Sequence, residues 1–110
     1  MARFGILFLN DGYWLKNQVF PKEWQQVSTK RHVNSRRYAY GYHWWRFIDN
    51  DYKLRNLAIS DAYFARGFGG QFIIVIPHLN MVVVSTAQNY RNATGFFNVL
   101  SDHIFSAVLE

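Results

Sequence analysis

Apolar residues are bunched along this chain, and the two densest runs, Phe72-Ile73-Ile74-Val75-Ile76 and Met81-Val82-Val83-Val84, lie only four residues apart. Neither run has the polar alternation of a strand with one wet face, so they predict two strands, 71–76 and 81–87, covered on both sides by helices. Pro77-His78-Leu79-Asn80 supplies the turn between them. A further strand over residues 62–67 precedes them, joined through Gly67-Phe68-Gly69-Gly70, where glycine lets backbone approach a ligand closely. Upstream, Tyr38, Tyr40 and Tyr42 alternate with Ala39 and Gly41, which predicts one strand over 38–47 with the tyrosines on one face. His43 falls inside that strand and reads as a hydrogen-bonded structural histidine.

Three segments have helical spacing. Residues 2–10 put Phe4, Leu7 and Phe8 on one face and stop at Asn10-Asp11-Gly12. No Ser, Thr, Asp or Asn precedes this helix, so its first amides lack a side-chain cap, as in a helix entered from preceding chain. Residues 21–28 open on Pro21, pre-set for the first helical position, with Glu23 in the first turn. Residues 93–109 space Phe97, Leu100, Ile104 and Val108 three or four apart, with Asn92 or Thr94 as the cap. The polar segment 48–60 contains Asp49-Asn50-Asp51, a solvated turn, because no glycine or closing glutamate follows at calcium-loop spacing. The sum is an α+β chain, an antiparallel sheet flanked by helices, read as a single partial domain over 1–110. The C-terminal helix covers one face of the sheet. The other face has no evident cover, and part of the aromatic surface awaits material beyond these residues.

With 110 residues, half of them hydrophobic and 19% Phe, Trp or Tyr, the composition is that of a globular chain able to bury a core. Two Pro and seven Gly are spread along it without a linker or repeat. The absence of Cys removes disulfides, thiolate metal sites and a cysteine nucleophile, and leaves the compartment unknown. No apolar run approaches the ~20 residues of a membrane helix, and the N-terminus has no secretory cleavage signal, so no membrane partner is expected. A net charge of +5, with Lys30-Arg31 and Arg36-Arg37 close to Tyr38, Tyr40, Tyr42, Trp44 and Trp45, raises base stacking, but the strand spacing of the tyrosines argues against nucleic acid.

His32, His43, His78 and His103 lack any zinc spacing, no Gly-x-Ser-x-Gly elbow occurs, and Gly67, Gly69 and Gly70 lead into a strand where a phosphate loop would lead into a helix. No serine stands three residues before a lysine: Ser28, Ser35, Ser60, Ser85 and Ser101 are followed at that spacing by Arg31, Tyr38, Tyr63, Gln88 and Ile104. Tyr90-Arg91-Asn92 spells a Tyr-x-Asn box but lies after the glycine turn, where it reads as chance and a helix cap.

Four pieces in order carry a family resemblance: residues 1–10 with Gly12 and Trp14; Pro21-Lys22-Glu23-Trp24; Tyr40-Gly41-Tyr42-His43-Trp44-Trp45; and Gly67-Phe68-Gly69-Gly70-Gln71 with the two strands after it. Over 1–107 the chain resembles the C-terminal portion of the serine β-lactamase-like hydrolases, and within them the class C-related esterases, the D-aminopeptidase and penicillin-binding-protein relatives, and the 6-aminohexanoate-dimer hydrolases. Met1 matches an internal methionine of that family's helix. The resemblance implies acylation of a serine in a Ser-x-x-Lys box, a third box of the Lys-Thr-Gly type beside it, and no metal or organic cofactor. Ala65-Arg66-Gly67 takes the third-box position, and the backbone N–H of Phe68 becomes the second oxyanion donor, a role worth ~3–4 kcal/mol in the transition state. Arg66, Gly67, Gly69, Tyr42 and Trp44 become substrate-side residues. Ala65 stands where the family's lysine would pair with a substrate carboxylate, which favours an esterase or amidase over a β-lactamase. The nucleophile-bearing boxes are absent, so the chain alone is expected to be inactive, its partners being a small ester or amide and either a missing N-terminal half or a second copy. The alternative is a small basic, aromatic-rich module for a polyanion or glycan.

Overall fold

Six antiparallel strands, stacked in the order in which the chain makes them, form the body of the protein, and helices lie on both faces. The computed structural model describes residues 1–35, 38–47, 61–92 and 95–109. Arg36-Arg37, Thr94 and the 48–60 segment with Asp49-Asn50-Asp51 lie outside them.

Helix α1 is Ala2–Leu9, with Met1 at its N-cap and no side-chain cap. A two-strand hairpin, β1 (Tyr13–Trp14) with β2 (Asn17–Gln18), leads to helix α2 at Lys22–Ser28, where Pro21 is the extended N-cap residue, one position before the place predicted for it. The sheet follows: β3 (Val33–Asn34), β4 (Tyr38–Tyr40), β5 (Trp45–Phe47), β6 (Tyr63–Gly67), β7 (Gln71–Ile76) and β8 (Met81–Ser85). The expected 38–47 strand is therefore two strands. Gly41 N–H donates to Trp44 O at 2.7 Å and Tyr42 N–H donates to Ser28 O at 2.9 Å, which diverts the chain toward the end of α2, and His43 takes a positive φ of 70°. His43 is exposed in this turn, outside any strand.

The C-terminal helical run begins with α3 (Phe96–Val99), passes through a π turn at Leu100–Phe105 and ends as α4 (Ser106–Leu109). A π turn carries more residues per turn than an α-helix. The sheet-facing residues become Phe97, Leu100 and Phe105, while Val108 is turned out to solvent and Ile104 is only partly buried. Gly95 is the N-cap, without a side-chain cap, and Asn92 instead donates its N–H to Asn89 Oδ1 at 3.0 Å.

One sheet face packs Phe47, Phe64, Phe72, Ile74 and Ile76 against Phe97, Leu100 and Phe105. Phe64 touches Phe47 at 4.7 Å, Phe97 at 5.5 Å and Tyr38 at 5.6 Å between ring centroids, and such pairs add ~0.5–1.5 kcal/mol each beyond area burial. The second face, which the pattern left without a cover, is covered by α1: Phe8, Trp44, Tyr63 and Val75 form its core. α1 lies close because Gly5 presents no Cβ, and one built there would stand 2.6 Å from Val82 Cγ1 and 2.9 Å from Ile73 Cγ2. Helices thus cover both faces of β7, whereas β8 is half-buried at all five positions because it is the sheet edge. Among the described residues no helix is long and apolar enough to cross a membrane.

α2 is held to the α1 face by polar links. Gln25 Nε2 donates to the Tyr63 hydroxyl at 3.1 Å, and Arg46 Nη1 donates to Thr29 O at 3.0 Å. Burial pushes the Tyr63 hydroxyl up to about 12, with the Gln25 hydrogen bond opposing it, and burial first and Arg31 second pull the Arg46 guanidinium below its ordinary value.

Candidate functional site

The register decides which segments meet at one end of the sheet. Tyr40 opposes Val33 and Trp45, Trp45 opposes Phe64, Gly67 opposes Gln71, and Phe72 opposes Ser85. The segment before β3, the β4–β5 turn, the β6–β7 turn and the chain after β8 therefore all emerge at the same end. Strands lie ~4.8 Å apart, so the 41–44 and 67–71 turns are offset by about 10 Å across the sheet, and the second stands further out along the strand direction because Trp45 opposes Phe64 while β6 continues to Gly67.

At the centre is the glycine turn. Gly69 and Gly70 have φ of 83° and 92°, values that a side chain would resist, and both are buried beneath Phe68, which is 84% exposed. The chain after β8 braces this turn at three points. Asn89 N–H donates to Gly69 O at 2.9 Å, Ser85 Oγ donates to Gly70 O at 3.3 Å, and Gln71 Nε2 donates to Ala87 O. Among the described residues no backbone carbonyl accepts the Phe68 N–H. An available N–H at the tip of a turn whose two following carbonyls, those of Gly69 and Gly70, are already bonded is a donor fixed before any ligand arrives, the property that oxyanion stabilisation requires.

Arg66, Gly67, Phe68 and Gly69 are contiguous here: Arg66 is exposed at the end of β6 opposite Phe72, and Gly67 closes the ladder opposite Gln71. Tyr42 is half-exposed on the adjacent turn, its ring stacked on His32 at 4.3 Å and 3° and on Trp24 at 5.9 Å. Trp44 belongs to that turn by its backbone, but its ring is 3% exposed in the core, 4.6 Å from Phe8 and 5.0 Å from Tyr63. His32 Nε2 lies 2.6 Å from Val27 O. Asp61 and His78 pair at 2.8 Å, with His78 in the 3₁₀ turn Pro77–Leu79, which joins β7 to β8 at the opposite end of the sheet. Among the described residues no three His, Asp or Glu side chains come together as a metal site.

Sequence reasoning missed Tyr90. A Cβ on Gly69 would stand 2.8 Å from Tyr90 Cε1, and the Phe68 and Tyr90 rings lie 5.0 Å apart. The available signal was topological: an antiparallel β7–β8 pair returns the chain after Ser85 to the side of the glycine turn.

No protein-family model matches the chain, and no curated protein matches it in sequence. Among solved structures, a protein described as "Putative 6-aminohexanoate-dimer hydrolase from Bacillus anthracis" superposes on 97% of this chain with a TM-score of 0.66 and 23% sequence identity. The fold is β-lactamase-like. That β-lactamase-like fold accounts for the α+β layering and the antiparallel sheet, while the chain spans only 27% of the length of the matched protein.

Proposed function

We propose that the chain is the C-terminal part of a β-lactamase-related serine hydrolase that cleaves a small ester or amide through an acyl-serine intermediate, with the nucleophile carried outside these 110 residues. The observation that carries this reading is the Phe68 N–H at the tip of the braced glycine turn, which no backbone carbonyl among the described residues accepts, within a fold matched over 97% of the chain. In this mechanism the serine oxygen attacks the scissile carbonyl and the developing oxyanion accepts hydrogen bonds from Phe68 N–H and from the serine's own N–H. Water then hydrolyses the acyl-enzyme. Gly67 and Gly69 keep the wall clear of side chains, and Arg66 and Tyr42 flank it on the substrate side. Trp44 contributes by fixing the 41–44 turn from below, through its packing on Phe8 and Tyr63.

Two measurements test it. The purified chain alone should show no burst and no saturable turnover of a nitrophenyl ester. Mixed with a separately produced N-terminal lobe of a β-lactamase-like hydrolase bearing Ser-x-x-Lys and Tyr-x-Asn, it should restore a burst that disappears when the lobe's serine is changed to alanine. Saturable, burst-forming turnover by the chain alone would overturn the assignment of the nucleophile to another segment.

A second reading has its own observation. Trp24, Tyr42 and His32 form an exposed stack beside Lys30, a surface suited to a glycan or polyanion. Polyanion binding would weaken steeply with salt. Binding of heparin that is unchanged between low and high salt, or no binding, removes this reading.

A further inference from the structure

Tyr90 is held where a substrate would arrive. Its ring rests on Gly69 closely enough that a methyl group there would collide with Cε1, and it leans on Phe68 at 5.0 Å and 31°. Both rings are nevertheless open: Phe68 is 84% and Tyr90 61% exposed. Large aromatic side chains left this open, side by side, forgo the burial that ordinarily rewards them. They are also not free to move apart, since Ser85, Ala87 and Asn89 tie the strand-to-Tyr90 segment to Gly70, Gln71 and Gly69. The strands beneath them carry no charge, Gly67 to Pro77 and Leu79 to Tyr90 containing no Asp, Glu, Lys or Arg, while the residues that flank these stretches at the site, Arg66 and Arg91, are exposed cations.

We infer that Phe68 and Tyr90 form an aryl subsite beside the Phe68 N–H, selecting esters or amides that carry an aromatic ring. The open ring faces take the substrate ring by offset or edge-to-face stacking. Tyr90 is thus a specificity-determining residue. The inference deepens the hydrolase reading and rests on it for the identity of the reacting carbonyl.

The test needs no nucleophile. Titrating ¹⁵N-labelled chain with N-phenylacetamide should give saturable shifts of the Phe68, Gly69 and Tyr90 amide signals. N-cyclohexylacetamide, equally bulky but not aromatic, should bind about fivefold more weakly or worse. Tyr90→Ala should weaken the aryl probe by about fivefold, and Tyr90→Phe should keep it within about twofold. If Tyr90→Ala disturbs signals throughout the chain, Phe68→Ala, which retains the backbone N–H and removes an exposed ring, carries the same expectation. No saturable shift, or equal binding of the two probes, overturns the subsite. The two readings fail separately. Aryl binding without hydrolysis on mixing with the N-terminal lobe leaves the subsite and removes the hydrolase, whereas restored hydrolysis that treats aryl and alkyl esters alike removes the subsite and leaves the hydrolase.

Discussion

On one face of the sheet the cover is hydrocarbon: Phe47, Phe64, Phe72, Ile74 and Ile76 meet Phe97, Leu100 and Phe105. On the other, α1 brings Phe8 onto Trp44, Tyr63 and Val75, and α2 is fastened by hydrogen bonds from Gln25 to Tyr63 and from Arg46 to Thr29. The first face is held by volume and shape, so its strength does not depend on protonation. The second is held partly by groups that must keep a particular protonation state, and it supports the 28–33 and 41–44 segments at the candidate site. The hydrocarbon face therefore sets whether the chain folds, and the mixed face sets how one side of the site is aligned.

The contrast can be broken most forcefully at Phe64. Phe64→Ala should cost about 3–5 kcal/mol in denaturant unfolding, enough to abolish cooperative unfolding in a chain of this size; a loss below about 1.5 kcal/mol would show that this face is not the principal core. Next in size is Gly5→Ala. Its Cβ would meet Val82 and Ile73, so α1 must lift, at a cost of about 1–3 kcal/mol, with the loss of Phe8 protection visible in near-ultraviolet circular dichroism. An unchanged spectrum and stability would mean that α1 is loosely seated.

Tyr63→Phe sharpens the comparison through pH. Tyr63 ionises near its ordinary value of 10.0 when unfolded but only at about 12 in the folded chain, so the fold holds the proton more tightly. The stabilisation is complete below pH 10 and is lost as pH rises through 12, on the order of 2 kcal/mol across that window. The wild-type chain should lose stability over this interval relative to Tyr63→Phe, and parallel pH profiles would contradict the assignment. The smallest effect belongs to the Lys22–Asp11 pair, 3.4 Å apart and largely exposed, where Lys22→Met should shift stability by no more than about 0.5 kcal/mol.

Much of this architecture was readable in the residues. The uninterrupted apolar runs announced β7 and β8, the glycines announced the β6–β7 turn, and Phe8 announced the buried side of α1, although Phe4, expected on the same face, is exposed and the second buried residue is Gly5. What escaped has physical causes. The Tyr38-Tyr40-Tyr42 alternation continues past the point where the backbone turns, and the bond from Tyr42 to Ser28 O that helps divert it comes from a segment fourteen residues earlier. His43 adopts a positive φ that its residue type does not advertise. Val108 matches helical spacing, but the π turn changes which residues reach the sheet. At the candidate site, the nearness of Arg66, Gly67, Phe68 and Gly69 to one another was legible because they are contiguous; that of Tyr90 was not, since it meets Gly69 only once β8 has folded back along β7.

The sheet is a meander in which spatial order equals chain order from β3 to β8. Each strand can pair with the one completed just before it, and the longest connection such pairing must close is the fifteen residues between β5 and β6. α1 is different: it precedes the whole meander, yet it rests on β7 and β8, some seventy residues further along the chain. Its apolar face cannot reach the strands it packs on until the meander is nearly complete, and on a ribosome that interval, more than the finished fold, is when this face is open to capture by other apolar surfaces.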